Sequence, residues 1–296
     1  MPTANPRRGY ILGLSAYIIW GIFPIYFKVL SSVPSIEIIV NRAIWSAVFG
    51  LALLMLVWKH PGWWQELCDH PRRFAILALS GSLIAANWLI YVWAVNNNHM
   101  VEASLGYFIN PLINVMLGMV LLRERLRPLQ WIAVILALIG VGQQVWQVGS
   151  LPWVSLALAF TFGFYGLIRK QAPVAALPGL VVETWILVPL AIGWLLFNPM
   201  AHSAQSEFWT TKEAIWLAAA GPITLVPLVC FNAAARDLPY ATLGFLQYIA
   251  PTLVLTLAVL VYGEHLATST AITFAFIWAG LVIYSVDAWR SLRRRG

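Results

Sequence analysis

The chain has 296 residues, of which 61% are hydrophobic and only 10% are charged. This composition lies outside the range of soluble domains and indicates an integral membrane protein. The formal net charge of +7 does not indicate a nucleic-acid partner, because the basic residues stand in short groups between apolar runs and form no stripe interleaved with aromatic residues.

Ten apolar runs approach the length needed to cross the hydrocarbon core of a bilayer, which takes about 20 helical residues. In chain order they cover residues 10–30, 35–58, 74–95, 101–122, 129–146, 152–168, 178–197, 213–235, 241–262 and 270–289. The first run is long enough to span and has no small-residue cleavage pattern, so we interpret it as a membrane helix rather than a signal peptide. The sequence predicts an all-α membrane protein with ten transmembrane helices.

The basic residues predict the orientation of these helices. With the amino terminus in the cytoplasm, the outer loops carry Lys28 and Lys212, and the cytoplasmic side carries Arg7, Arg8, Lys59, Arg72, Arg73, Arg123, Arg125, Arg127, Arg169, Lys170, Arg236, Arg290, Arg293, Arg294 and Arg295. An excess of Lys and Arg in loops marks the cytoplasmic side of a membrane protein. We therefore expect both termini in the cytoplasm.

An internal duplication divides the chain into two halves. Three pairs of residues are each 140 positions apart, namely Pro111 and Pro251, Glu124 and Glu264, and Gly140 and Gly280. A shared spacing of this kind indicates a repeat, which we place at residues 8–148 and 149–290, with five helices in each. Because five is odd, the second repeat enters the membrane from the opposite side. Inverted repeats with a site near the midplane are a recurring design of secondary transporters.

The second predicted helix contains Arg42, which lies about 10 Å beyond the helix start and is costly to bury without a partner. Glu37, Asn41 and Trp45 share one face of this helix, whereas Arg42 points about 140° away from Glu37. Glu37 therefore need not be the partner of Arg42. Two interpretations stay open for Arg42, a substrate site or a structural lock through backbone carbonyls. For Glu37 they are an exposed cap or a site for a proton or a cationic substrate.

Polar side chains also follow one face of the fourth and ninth helices, at steps of four residues. They either line a cavity or pack helices together, since Asn and Thr commonly bond across membrane helices. Asn87 and Trp88 add polar groups at depth in the third helix. The predicted substrate-binding residues are Arg42, Glu37, Asn41, Trp45, Asn87, Trp88, Asn110, Asn114, Gln247 and Tyr248.

Prolines inside the runs predict hinges at Pro24, Pro111 and Pro251, because proline lacks the backbone N–H and disturbs the turn before it. Glu183 of the seventh helix is interpreted as a solvated first-turn residue. The histidines do not cluster, and the chain has no glycine-rich phosphate loop. We therefore expect neither a metal site nor a cofactor.

Three segments resemble the RarD proteins of the EamA-type group within the drug/metabolite transporter superfamily. They read AYIIWGIFPIYFK (residues 16–28), EASLGYFINPL (102–112) and QYIAPT (247–252), and the resemblance extends over nearly the whole chain. It implies a permease of the bacterial inner membrane with two EamA repeats, ten helices and cytoplasmic termini. RarD proteins are named for an association with chloramphenicol resistance, which implies export of a drug or metabolite.

The leading hypothesis is a secondary transporter that moves a small organic solute outward by alternating access, with proton coupling through Glu37 left open. Its partners are the solute, the bilayer, a coupling proton if one is used, and a second copy of the chain if it dimerises. A lipid-modifying enzyme would need a base beside a nucleophile such as Ser104, and the sequence places no histidine there. A sensor that transports nothing leaves the costly Arg42 unexplained.

Overall fold

The computed structural model describes residues 5–57, 62–97, 99–148, 153–263 and 265–293, whose regular structure is helical throughout. The α-helices are α1 (Pro6–Gly21), α2 (Phe23–Val29), α3 (Ser35–Val57), α4 (Trp63–Cys68), α5 (Pro71–Asn96), α6 (Met100–Leu121), α7 (Pro128–Val148), α8 (Trp153–Gln171), α9 (Ala176–Phe197), α10 (Lys212–Ala218), α11 (Ala220–Asp237), α12 (Tyr240–Gln247), α13 (Ile249–Thr256) and α14 (Thr268–Arg293). The loop between α9 and α10 forms two 3₁₀ turns, His202–Ala204 and Ser206–Thr210, and a π-helical segment, Leu257–Val261, follows α13.

Within the described residues, nine helical segments are long and apolar enough to cross a membrane. They are α1 with α2, α3, α5, α6, α7, α9, α10 with α11, α12 with α13, and α14. The other long helix, α8, has 19 residues and packs against α5, α6 and α11, although Arg169 and Lys170 near its end reduce its hydropathy. Large apolar side chains such as Leu190, Leu196 and Val282 are exposed, as a lipid-facing surface requires. The prediction of an all-α membrane protein is confirmed.

Three of the predicted continuous runs are broken helices. Breaks separate α1 from α2, α10 from α11, and α12 from α13, and each lies two or three residues before Pro24, Pro222 or Pro251. Proline explains these positions because its ring crowds the preceding turn and it cannot donate a backbone hydrogen bond. In contrast, α6 continues through Pro111 without a break. The role of Pro24, Pro111 and Pro251 as hinges stays a prediction.

The helices pack in pairs that match between the two predicted halves of the chain. In this comparison α1 corresponds to α8, α3 to α9, α5 to α11, α6 to α12 with α13, and α7 to α14. The contacts of α8 with α5 and α6 correspond to those of α1 with α11, α12 and α13, and the contact of α3 with α11 corresponds to that of α9 with α5. Three further contacts, α3 with α9, α6 with α12 and α7 with α14, join helices that correspond to each other. Exchanging the two halves therefore leaves this set of helix pairs unchanged.

Gly140 of α7 and Gly280 of α14 allow these two helices to approach closely. A Cβ atom at Gly140 would lie 2.9 Å from the carbonyl oxygen of Thr273, and one at Gly280 would lie 3.0 Å from that of Ala133. Thr273 and Ala133 are themselves 140 residues apart, so each half makes the same contact on the other.

The described residues do not include Glu264, nor Lys59, Arg294 and Arg295 of the predicted cytoplasmic set.

We expect Gly140→Val to lower the unfolding temperature of the detergent-solubilised protein by several degrees. The new side chain would meet the α14 backbone, and overpacking of this kind costs about 1–3 kcal/mol. Gly142→Val is the matched control, because a Cβ at Gly142 has no neighbour within 4 Å. Equal unfolding temperatures for the two variants would contradict a close crossing of α7 and α14 at Gly140.

Candidate functional site

Arg42 is held between α3, α5 and α11. Its Nε atom donates a hydrogen bond to Thr224 Oγ1 at 2.9 Å, and its guanidinium carbon lies over the Trp88 ring, 4.7 Å from the ring centre. A desolvated cation over an indole face gains about 2 kcal/mol. Among the predicted binding residues, the structure thus brings Arg42 and Trp88 into direct contact.

Three tyrosines surround this arginine from different helices. The phenol groups of Tyr26, Tyr91 and Tyr107 lie close enough to Arg42 to interact with it electrostatically. Tyr26 is buried and donates to the carbonyl oxygen of Trp216 at 3.1 Å. Tyr107 lies about 10 Å from the start of α6, yet it is 51% exposed. A side chain that faces the central arginine and is still accessible indicates an open cleft between the helices.

The charge of Arg42 is not balanced by any carboxylate in the part of the chain that the structure describes. Its electrostatic neighbours are phenols, and no described acidic side chain forms an ion pair with it. The bond to Thr224 uses one of the five N–H donors of the guanidinium. Nη1 and Nη2 have no acceptor among the described residues, and they are not buried atoms. The unpaired end of Arg42 therefore faces accessible space.

The opposite face of α3 holds the loop between α9 and α10. Glu37 is buried, and its carboxylate accepts hydrogen bonds from the backbone N–H groups of His202 and Ser203. Asn41 Nδ2 donates to Ser203 Oγ at 2.9 Å, and the ring centre of Trp45 lies 5.8 Å from that of a loop tryptophan. The predicted shared face of Glu37, Asn41 and Trp45 therefore exists, and the loop between α9 and α10 covers it. Their role in substrate binding stays a prediction.

The polar residues of the fourth and ninth runs meet at the packing surface of α6 and α12. Asn114 Nδ2 donates to Gln247 Oε1 at 2.8 Å, and Tyr248 OH donates to the carbonyl oxygen of Phe108 at 3.2 Å. The Asn110 side chain is 6% exposed, and its Oδ1 atom has no partner among the described residues. These contacts hold the two helices together, and substrate contacts by this group stay a prediction.

Asn87 joins α5 to α8. Its Nδ2 atom donates to Thr161 Oγ1 and to the carbonyl oxygen of Leu158, both at 2.9 Å. Although Asn87 precedes Trp88 in the chain, its amide is engaged with α8 rather than with Arg42. The prediction that Asn87 binds substrate is untested by these contacts.

A second buried charged group lies in the predicted cytoplasmic half. Arg169 Nε is 3.3 Å from Glu183 Oε1, and both side chains are 1% exposed. Ser80 Oγ donates to Glu183 Oε1 at 2.5 Å, while Tyr165 OH donates to Oε2 at 3.4 Å and accepts from Asn232 Nδ2 at 2.8 Å. The interpretation of Glu183 as a solvated first-turn residue is wrong, because α9 begins at Ala176 and turns Glu183 towards α8.

At this same end, Glu124 connects the two predicted halves, and Lys170 makes a contact within the second. Glu124 Oε1 and Oε2 accept hydrogen bonds from the backbone N–H groups of Tyr240 and Ala241, at 2.6 and 2.9 Å. The carboxylate thereby caps the start of α12, where unpaired N–H groups favour an anion. Lys170 Nζ donates to the carbonyl oxygen of Leu238 at 2.5 Å. The segment after α6 and the end of α8 are thus both tied to the α11–α12 connection.

Sequence reasoning missed the residues that complete the cleft around Arg42, namely Tyr26, Tyr91, Tyr107 and Thr224. Two signals were present in the sequence. Tyr91 follows Trp88 by three residues on α5, and Tyr107 precedes Asn110 by three residues on α6, so each shares a helix face with a residue that was predicted. Thr224 belongs to the cleft because α11 packs against α3, and local sequence does not specify that packing.

Two surface grooves of about 380 and 250 Å³ share no lining residue with this cleft. The larger is lined by side chains such as Trp64, Phe74 and Trp185, each of them exposed, and the smaller by residues at the start of α6 and by Gln144. Apolar grooves on the exposed surface of a membrane protein suit lipid chains. Neither lining contains a charged side chain, although Ser104 and Gln144 contribute polar groups to the smaller groove.

Comparisons with known proteins place the chain among transporters. The EamA-like transporter family matches residues 7–142. An uncharacterized transporter of Pseudomonas aeruginosa is 71% identical over 294 residues, which cover 99% of this chain and 98% of the relative. The RarD protein of Escherichia coli K12 is 48% identical over 99% of both chains. A second Pseudomonas aeruginosa relative, named a chloramphenicol-sensitive RarD protein, is 32% identical over 97% of both chains.

A solved crystal structure has the same overall fold. It superposes with a TM-score of 0.71 at 16% sequence identity and covers 96% of this chain and 99% of the other. At that identity the similarity concerns the fold alone.

Proposed function

Since this chain belongs to the RarD proteins of the EamA-like drug/metabolite transporter family and is a multi-pass membrane transporter, we propose that it carries a small organic solute out of the cell by alternating access. The observation that carries this proposal is the accessible, unpaired Arg42 between helices of both halves. A charge at such depth is expensive and is usually kept for function. No observation on the described residues favours a lipid-modifying enzyme.

We propose that residues 8–148 and 149–290 form two inverted repeats with ten crossings, of which α8 is the sixth. The matching helix pairs and the equivalent contacts of Gly140 and Gly280 support this division. In such a design, a rearrangement of one repeat against the other exposes a central site to each side in turn. The unequal distribution of basic residues supports cytoplasmic termini in the bacterial inner membrane.

We propose that this conformation is open to the outside and closed to the cytoplasm. Tyr107 is accessible near the outer end of α6, whereas at the other end Glu124 of the first half is hydrogen-bonded to the start of α12 in the second half. Inward opening requires those hydrogen bonds to break. Proton coupling through Glu37 stays a prediction, and the contacts suggest its form, since protonation of Glu37 would weaken its hold on the loop at residues 202–203.

We expect a cysteine at Tyr107 to react with a membrane-impermeant maleimide added to intact spheroplasts, because the cleft opens outward. The background variant has Cys68 and Cys230 replaced by alanine. Arg125→Cys, in an exposed loop, should react only in inside-out vesicles, and Ser80→Cys, which is fully buried, should react in neither preparation. Labelling of Tyr107→Cys only in inside-out vesicles would contradict the outward-open assignment.

Transport itself is tested by counterflow in proteoliposomes against a library of amino acids, aromatic metabolites and amphenicols, read by mass spectrometry. The proposal predicts that at least one solute exchanges faster than in protein-free liposomes and that Arg42→Ala removes the difference. If no solute in the library exchanges above the protein-free rate, the transport proposal fails.

A further inference from the structure

We propose that the Arg42 cleft binds the carboxylate of an organic anion that also carries an aromatic ring, and that it discriminates against cationic and neutral analogues. This inference rests on the proposed transport function and names the chemical class of its solute. It concerns the cleft formed around Arg42 by Tyr26, Trp88, Tyr91, Tyr107 and Thr224.

The charge of Arg42 is unbalanced among the described residues. Arg42 remains protonated under all physiological conditions, and none of the described residues offers it a carboxylate. The one hydrogen bond to Thr224 and the contact with Trp88 offset only part of the cost of a charge within the membrane. An anionic solute would supply the missing charge, so its binding and the neutralisation of Arg42 are the same event.

The free donors of Arg42 lie on one edge of its guanidinium group. The guanidinium carbon lies over the Trp88 ring, 4.7 Å from its centre, and Thr224 occupies Nε. The edge formed by Nη1 and Nη2 is left without an acceptor among the described residues, and it is accessible. Two parallel N–H groups on that edge match the two oxygens of a carboxylate, a pairing that is strong and specific in geometry.

Aromatic side chains surround the guanidinium group of Arg42. Trp88, Tyr91 and Tyr107 come from α5 and α6 and give the cleft aromatic surface, on which an aromatic ring packs favourably. An ammonium group would instead meet the positive Arg42. The nearest acid along α3 is Glu37, and its two oxygens already accept hydrogen bonds from the outer loop. The cleft therefore selects against a cation and against the ammonium group of an amino acid.

A matched series of four ligands tests this inference by isothermal titration calorimetry on the purified protein. The probes are 3-phenylpropanoate, 3-phenylpropanamide, 3-phenylpropylamine and L-phenylalanine, which share the ring and spacer but differ in charge. We expect 3-phenylpropanoate to bind at least about tenfold more tightly than each of the others, as a charge-assisted hydrogen bond of 1.5–3 kcal/mol implies. Equal or tighter binding of another probe, or no binding by any of the four, overturns the inference.

Three variants connect the selectivity to Arg42. Arg42→Gln should remove the preference for the anion, and Arg42→Lys should keep part of it, because lysine retains the charge without the paired donors. Arg125→Gln removes the same charge from an exposed loop and should bind like the original protein. An anion preference that survives in Arg42→Gln overturns the inference. If Arg42→Gln does not fold, Tyr107→Leu replaces it as the test and should weaken anion binding. Unchanged anion binding in Tyr107→Leu would then overturn the inference.

Failure of this inference is distinguishable from failure of the transport function. The counterflow library contains neutral amphenicols and zwitterionic amino acids as well as aromatic metabolites, so exchange of an amphenicol or an amino acid but of no aromatic anion would retain the transporter and reject the anion site. Counterflow of no solute would reject transport whatever the calorimetry shows.

Discussion

Arg42→Ala is expected to lower solute flux at least about a hundredfold while the protein remains folded and inserted in the membrane. The unpaired edge of the guanidinium offers two donors, and each charge-assisted hydrogen bond contributes about 1.5–3 kcal/mol. Since about 1.4 kcal/mol corresponds to a factor of ten, loss of both bonds gives a factor of a hundred or more. The measurement is the initial counterflow rate in proteoliposomes with the solute that the library identifies.

The same variant separates a functional arginine from a structural one. If Arg42 serves transport, its removal relieves an expensive charge and breaks only one hydrogen bond, to Thr224. The unfolding temperature in detergent should then stay the same or rise. If Arg42 locks the bundle, the unfolding temperature should fall together with the flux. Arg125→Ala is the control for charge removal, and we expect it to change neither quantity.

Unchanged flux in Arg42→Ala would remove Arg42 from the substrate site, even if the other cleft residues proved essential. Arg42→Lys should give an intermediate rate. A lysine ammonium is a compact point charge, which neither stacks flat on Trp88 nor presents two parallel donors. The order of rates, Arg above Lys above Ala, is therefore part of the prediction.

Hydropathy was enough to predict the membrane class and the approximate location of the helices, because lipid restricts spanning segments to long apolar runs. The same principle made Arg42 conspicuous, as a lone charge well inside such a run. The helix breaks before Pro24, Pro222 and Pro251 were harder to predict. Proline disturbs a helix in any context, but neighbouring packing decides whether the helix breaks, and α6 continues through Pro111.

Periodicity identified a face without identifying what covers it. Glu37, Asn41 and Trp45 follow one another at steps of four residues, and in the structure all three contact the loop between α9 and α10. This loop is distant along the chain, since Ser203 follows Asn41 by 162 residues. The cleft at Arg42 has the same character, since its walls come from separate helices that local sequence cannot bring together.

Glu183 shows most clearly that local sequence does not predict which helices bury a side chain. Its position near the start of a predicted helix favours solvation, because helix starts attract carboxylates and commonly face water. In the structure, Arg169 reaches it from the end of α8, and Ser80 reaches it from α5. The burial of this carboxylate is a property of three helices together, and only Arg169 was visible in the sequence as a charge near the same membrane face.

Breaking this ion pair from either side is expected to cost about 3–5 kcal/mol of unfolding free energy, because each single variant leaves an uncompensated buried charge. Arg169→Met strands the Glu183 carboxylate, with Ser80 and Tyr165 as its remaining donors. Glu183→Leu strands the guanidinium, which then bonds only to backbone carbonyls at the start of α9. The free energy of unfolding is measured by detergent denaturation in mixed micelles.

The double variant Arg169→Met with Glu183→Leu should be far more stable than the sum of the two single losses predicts, since apolar residues of similar size often replace a buried pair at little cost. Arg125→Met is the control, because Arg125 is exposed, and a surface change of this kind stays within about 0.5 kcal/mol. Additive losses in the double variant would mean that the two side chains stabilise the protein independently.

We further expect the double variant to keep the ligand preference of the original protein, because Arg42 makes no contact with this pair among the described residues. Loss of that preference would instead connect the ion pair to the cleft.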